Sequence, residues 1–290
     1  MAHLSQRRPE NVEGDFYVDT TCIDCDTCRW MAPEVFVAVG DQSAVQHQPA
    51  TSVERLRAMQ ALLSCPTASI GTVAKPTDVQ QVQASLPIPV VESVYHCGYH
   101  AEASFGAASY LIQRPDGNVL VDSPRFVPPL VKQLEAMGGV RYLYLTHRDD
   151  VADHQKFHDH FGCDRILHID DISRGTQAVE MQLPGQAPIQ LAPDLLIIPV
   201  PGHTKGHTVL LYHNVLFTGD HLAWSPDLQH LFAFRRACWY SWPHLMQSMQ
   251  KLAAYSFEWV LPGHGQRYHA DAATMHEQMQ TCLRWMEQVR

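Results

Sequence analysis

The chain has 290 residues, 46% hydrophobic and 18% charged, enough for one large core and a smaller second one. Its formal net charge of -9, without any cluster of Lys and Arg, argues against nucleic acid and leaves small molecules and redox proteins as the expected partners. No apolar run approaches a membrane span and MAHLSQRRPE carries no apolar stretch of a secretory signal, so a cytoplasmic protein without membrane attachment is expected.

Along the chain, residues 1–13 read as a tail and residues 14–72 as a small domain holding four of the eight cysteines. In a reducing compartment such cysteines are thiols or metal ligands before they are disulfides. The stretch GTVAKPTDVQQVQASLPIPVV has three prolines and little apolar periodicity, so residues 73–89 are expected to be a linker. Residues 90–290 then form the second domain. ASYLIQR and NVLVDS flank the turn PDG as a hairpin. VPPLVKQLEAMGG reads as a helix opened by proline and closed by glycine. VRYLYLT, RILHI, DLLIIPV, HTVLLYH, VLFTG and FEWVLP read as short strands, and PHLMQSMQKLAAYS and ADAATMHEQMQTCLRWMEQ have helical apolar spacing. Strands and helices mixed in this way predict an α/β fold of sheet layers covered by helices. THRDD, PGHT, TGD and PGHG each follow a strand, where polar groups can converge on one cleft.

Cys22, Cys25 and Cys28 are spaced C-x2-C-x2-C, and Cys65 returns in CPTASI. Three thiolates on one tight loop can wrap three irons of a cubane cluster, and a distant cysteine followed by proline supplies the fourth corner. Residues 14 to 72 resemble a bacterial-type ferredoxin. Ala32 stands before Pro33 where the two-cluster form has a further cysteine, so the resemblance implies one 4Fe-4S cluster. A structural zinc and a 3Fe-4S cluster are the alternatives. Glu13, Asp15, Asp19, Asp24, Asp26, Glu34 and Asp41 face only Arg29 in this stretch, a balance that suits either a basic redox partner or a solvated surface.

In the second domain His147, Asp153-His154, His203, Asp220 and His264 follow one another in THRDDVADH, PGHTKGH, FTGDH and LPGHG. Imidazole and carboxylate together suit zinc, iron or manganese, and an aspartate between histidine sets can bridge two ions. These motifs resemble the metallo-β-lactamase superfamily over residues 90 to 290, which implies a four-layer αββα sandwich beside the small α+β ferredoxin-like domain. HRDDVADH is two residues longer than the family pattern HxHxDH. Matching its ends implies His147, Asp153 and His154 as ligands and puts Asp149 or Asp150 near the missing second histidine. A carboxylate there resembles the di-iron flavoprotein branch. Asp150 is the expected ligand of the two, although capping of a helix over VADHQKFHDHFG is an equal alternative for the pair. His147, His203 and Asp220 also match the one-iron set of the superfamily's persulfide dioxygenases. His207 and His221 are expected to orient ligands. Cys238, Trp239, Tyr240 and Trp242 line either a substrate pocket or the core, and His96 and His100 around Cys97 carry no assigned role. No GxSxG or phosphate-binding glycine loop is present.

Three functions are open, and hydrolysis is the expected one because the resemblance implies it. The superfamily's commonest chemistry is hydrolysis of an ester, thioester or lactone-like molecule, with one or two zinc, iron or manganese ions polarising a water that Asp153 orients. The second is an oxidoreductase whose cluster passes electrons to iron in the histidine site, favoured by the fused ferredoxin because hydrolysis needs no electrons. The third is a non-enzymatic redox carrier or sensor.

Overall fold

Thr51 opens the helix Ser52–Ser64 by accepting the Glu54 backbone N–H on its side chain, and Cys65 closes it with its own N–H on the Ala61 carbonyl. This helix, the pair Phe16–Val18 and Ile70–Thr72, and the hairpin Phe36–Val39/Gln42–Val45 enclose a core of Phe16, Val18, Phe36, Val45, Met59 and Ile70. The structure, a computed structural model, describes residues 2–289 and divides into two units. Residues 1–142 with 152–163 form the first, and residues 143–151 with 164–290 the second.

Residues 73–89, expected to be a linker, contain the helix Val79–Ala84 and the start of the strand Ile88–Val91. Val82 is buried and Val79 and Ile88 pack on the same core. Their apolar spacing is interrupted by glutamines, which hid it in the sequence. The first unit continues as an antiparallel meander of Ile88–Val91, Val94–His96, Tyr110–Ile112 and Val119–Val121, followed by the helix Pro128–Ala136.

The second unit carries a six-stranded sheet in the order Ile189–Ala192, Leu195–Pro199, Thr208–Tyr212, Val215–Gly219, Trp259–Pro262, Tyr268–His269. Only the pairing of Val215–Gly219 with Trp259–Pro262 is parallel. The helix Trp242–Leu252 lies between them in sequence and supplies Leu245, Met249 and Leu252 to the core, as Ala272–Gln288 supplies Met275, Met279, Cys282 and Met286. Burial of these side chains, each stabilising by about 1.5–3 kcal/mol, fixes the strands whose ends carry the polar motifs. Among the described residues, no helix is long and apolar enough to cross a membrane.

Candidate metal centre and cysteine cradle

The loop after the strand Tyr142–Tyr144 carries His147, Asp149 and Asp150. His203 lies in the turn between Leu195–Pro199 and Thr208–Tyr212, Asp220 directly follows Val215–Gly219, and His264 follows Trp259–Pro262. Backbone bonds hold these loops together: Thr208 N–H donates to the Thr146 carbonyl at 2.9 Å, and Gly263 N–H to the Gly219 carbonyl at 2.9 Å. A Cβ on Gly263 would lie 2.9 Å from Asp150 Oδ2 and 3.0 Å from Asp220 Oδ1, so this position has room for glycine alone.

Two donor groups result. In the first, donor atoms of His147, His203 and Asp220 lie within 4.8 Å of one another, with Asp220 Oδ2 3.8 Å from each imidazole; Asp149 Oδ2 stands beside this set, 3.8 Å from His147 Nε2 and 3.4 Å from His203 Nε2. Four ligands in a tetrahedron about 2.1 Å from an ion are about 3.4 Å apart, close to this spacing. His147 Nε2 and His203 Nε2 are buried and have no hydrogen-bond partner, as expected of ligand atoms aimed at a cation. In the second group the donor atoms of Asp150, Asp220 and His264 all lie within 4.8 Å of one another. Asp220 serves both, because its Oδ1 is 2.7 Å from His264 Nδ1 while its Oδ2 faces the first group. The residues therefore fit two ions sharing one carboxylate.

Electrostatics prepares these groups. Burial and the neighbouring His203 push His147 down to about 4, against the opposing pull of Asp220. Its ring is therefore neutral at pH 7, the form that ligates a metal. Burial opposes ionisation of Asp220, but the imidazoles of His264, His147 and His203 outweigh it and hold the carboxyl well below the usual range. The His203 imidazole 3.4 Å away likewise lowers Asp149.

Asp171 is a positioning residue that no sequence motif marks. This buried carboxylate accepts Arg148 N–H at 3.1 Å, Gly206 N–H at 2.7 Å and the Thr204 hydroxyl, tying the His147 loop to the His203 turn. Thr146 Oγ1 lies 2.9 Å from His147 Nδ1 and orients that ring. His207 stacks on His147 with centroids 4.7 Å apart and donates from Nε2 to the Thr218 carbonyl. It supports His147 by ring contact. His221 is buried beside His207, and burial pushes it down to about 3. Cys238 donates to the Gly202 carbonyl and packs on the core, while Trp239 and Tyr240 are exposed. The Trp239 ring is 6.2 Å from that of His203.

Asp153 and His154 stand in neither donor group. Asp153 Oδ2 accepts Phe126 N–H at 2.8 Å, and Oδ1 pairs with Lys156 Nζ at 2.7 Å. His154 is buried as the first residue of the helix His154–Phe161. The two extra residues in HRDDVADH carry this pair past the turn and into the helix start, while Asp149 and Asp150 occupy the turn itself. The helix N-cap is Asp153, so capping by Asp149 or Asp150 does not occur.

In the first unit Cys22, Cys25, Cys28 and Cys65 line one cavity with Val18, Ile23, Pro66 and Ile70. Left-handed backbone at Asp24 and Asp26 coils the C-x2-C-x2-C loop, and Arg29 clamps both carboxylates. Ser43 N–H donates to Cys22 Sγ at 3.4 Å and Ser69 N–H to Cys65 Sγ at 3.3 Å. Gly106, at φ +87°, presses on this cradle: a Cβ there would meet Cys25 Cβ at 2.7 Å. All eight cysteines are free of disulfides. Burial pushes the Cys25 thiol up to about 11 and Cys28 higher still, so thiolates here need a cation beside them. Sulfurs that converge and accept backbone N–H groups fit a cubane cluster.

Residues 18–72 match the family model described as "4Fe-4S single cluster domain of Ferredoxin I". The chain resembles solved metallo-β-lactamases. A metallo-β-lactamase from Hirschia baltica superposes with a TM-score of 0.53 at 16% identity, covering 68% of this chain and 96% of that one. FIM-1 from Pseudomonas aeruginosa, in a mono-zinc form, gives 0.51 at 16% identity, covering 68% and 93%. DIM-1, a metallo-β-lactamase exposed to ceftazidime, gives 0.54 at 18% identity, covering 68% and 95%. No curated protein matches the chain. The chain thus joins a ferredoxin-like single-cluster segment to the αββα metallo-β-lactamase fold.

Proposed function

We propose that the protein is an iron-dependent oxidoreductase that acts on a small molecule and carries its own one-electron donor, a 4Fe-4S cluster on Cys22, Cys25, Cys28 and Cys65. The observation that carries this reading is Asp149 at 3.4 Å from His203 Nε2, a third carboxylate beside the three imidazoles and two carboxylates of the two donor groups. Hard oxygen donors favour iron or manganese over the nitrogen- and sulfur-rich sets typical of zinc. His147, Asp149 and His203 would hold one iron, Asp150 and His264 the other, with Asp220 shared. Iron there supplies reversible one-electron chemistry and Lewis acidity to a bound substrate. The protein's own part is to keep the His147 imidazole neutral by burial and to fix the His147 and His203 loops through Asp171. Exposed Trp239 and Tyr240 flank the His203 side as contacts for the substrate.

A second reading is a metal-dependent hydrolase of an ester, thioester or lactone-like substrate. It is favoured by the placement of Asp220 between two donor groups, since a pair of zinc ions so held would acidify a water. The two readings separate in one experiment. Protein prepared without oxygen is reduced and mixed with dioxygen as the probe acceptor, following reductant consumption in wild type and in His203→Ala. Multiple turnovers in wild type, lost in the variant, support the oxidoreductase. Ester or thioester turnover without reductant supports the hydrolase instead.

A further inference from the structure

A polar chain runs from the cysteine cradle into the first unit's interior through residues that neither reading uses. Thr27 Oγ1 lies 3.4 Å from Cys25 Sγ and 3.0 Å from His100 Nδ1. His100 Nδ1 also faces the Gly106 carbonyl at 2.7 Å, and His100 Nε2 is 2.7 Å from His96 Nε2. Both histidines are fully buried, and the Trp30 ring packs against each, at 5.1 Å from His96 and 6.0 Å from His100.

The donors in this chain have one consistent direction. A carbonyl can only accept, so His100 Nδ1 carries its proton towards the Gly106 oxygen and Thr27. His100 Nε2 is then an acceptor, and His96 donates to it from Nε2. The Thr27 hydroxyl also reaches the Gly106 carbonyl at 3.3 Å; beside a cluster-bound Cys25, a thiolate that can only accept, it turns to donate to the sulfur. Such hydrogen bonds help set cluster potentials. In a low-dielectric interior, negative charge added at the sulfurs is felt across this chain.

We propose that the His96–His100 pair takes up one proton when the cluster on Cys25 accepts one electron, with Thr27 as the link between them. The electron comes from a one-electron reductant and the proton from solvent, so reduction adds no net charge to this buried region. Buried Cys97 and Tyr99 stand between the two histidines in sequence, and burial pushes the Tyr99 phenol up to about 12. From the helix Thr27–Met31 come Thr27 and Trp30, neither of which titrates. From the strand Tyr110–Ile112, the Tyr110 ring stands 5.9 Å from that of His96. The Ser64 carbonyl at the end of the helix Ser52–Ser64 accepts the His100 backbone N–H at 3.1 Å, and the Arg125 guanidinium donates to the Leu63 and Cys65 carbonyls.

The inference rests on the cradle holding a 4Fe-4S cluster, which iron and sulfide content check separately. The test is a redox titration of the cluster-loaded full chain, followed by electron paramagnetic resonance, between about pH 6 and 9, where histidine titrates. The wild-type midpoint potential should fall with rising pH, by up to about 59 mV for each tenfold drop in proton concentration. Thr27→Val and His96→Gln should flatten the slope, and Thr27→Ser should keep it. A potential independent of pH in cluster-loaded wild type overturns the proposal. So does a wild-type slope that persists unchanged in both His96→Gln and Thr27→Val.

Discussion

Asp149 Oδ2 lies 3.4 Å from His203 Nε2, although the two residues are 54 positions apart and Asp149 is on an exposed turn. It stands beside the His147, His203 and Asp220 donor group as a candidate fourth donor. Removing residues that merely orient ligands typically weakens metal binding about 10- to 100-fold, so a direct donor should cost at least that much. Asp149→Ala is therefore expected to lose metal from the histidine site by about 100-fold in affinity while its cluster iron stays unchanged. Competitive chelation followed by metal analysis reads this directly. Equal retention in variant and wild type would remove Asp149 from the ligand set.

Asp153 has a different task. Its carboxylate holds Phe126 N–H and Lys156 Nζ, and so anchors the start of the helix His154–Phe161. Asp153→Ala should lower stability by about 1 kcal/mol, the worth of one hydrogen bond plus an exposed ion pair. Metal content and turnover should be kept. Denaturant unfolding beside metal analysis checks both, and loss of activity with the fold intact would restore the catalytic role that its Asp-His motif suggests.

Arg165 is buried at the start of a strand and depends on Glu180. Its Nε and Nη2 meet the Glu180 carboxylate at 3.0 and 2.7 Å, and its backbone N–H donates to the same group at 2.8 Å. Burial alone would raise Glu180, but these bonds hold it down to about 2. A carboxylate lowered in the folded state contributes stability above its unfolded value of about 4.5, and that contribution fades as pH falls towards 2. Glu180→Gln should cost about 3 kcal/mol at pH 7, because it leaves a buried guanidinium without its anion. The loss relative to wild type should shrink on acidification from about pH 4.5. Denaturant midpoints across that range test the sign.

The motifs PGHT, TGD and PGHG were legible in the sequence because each puts a candidate donor after a strand with its own turn residues, and the cysteines because of their C-x2-C-x2-C spacing. HRDDVADH was only half legible. Asp149, Asp150 and Asp153 are chemically alike, and the path of the turn decides which of them face the site. Asp171 was not legible, since its worth lies in bonds to Arg148, Thr204 and Gly206, residues far from it in the chain. The segment 73–89 hid its helix because Val79 and Val82 stand among glutamines and only their packing with Met59 and Ile88 in one core reveals an apolar face.

The most direct measurement is metal content per chain after purification without oxygen, in wild type and in a Cys22→Ala, Cys25→Ala variant. The donor set and the cradle together predict about six irons in wild type, of which about two stay when the cluster is lost. About four irons with zinc, the zinc surviving loss of the cluster, would contradict an iron oxidoreductase and place hydrolysis first.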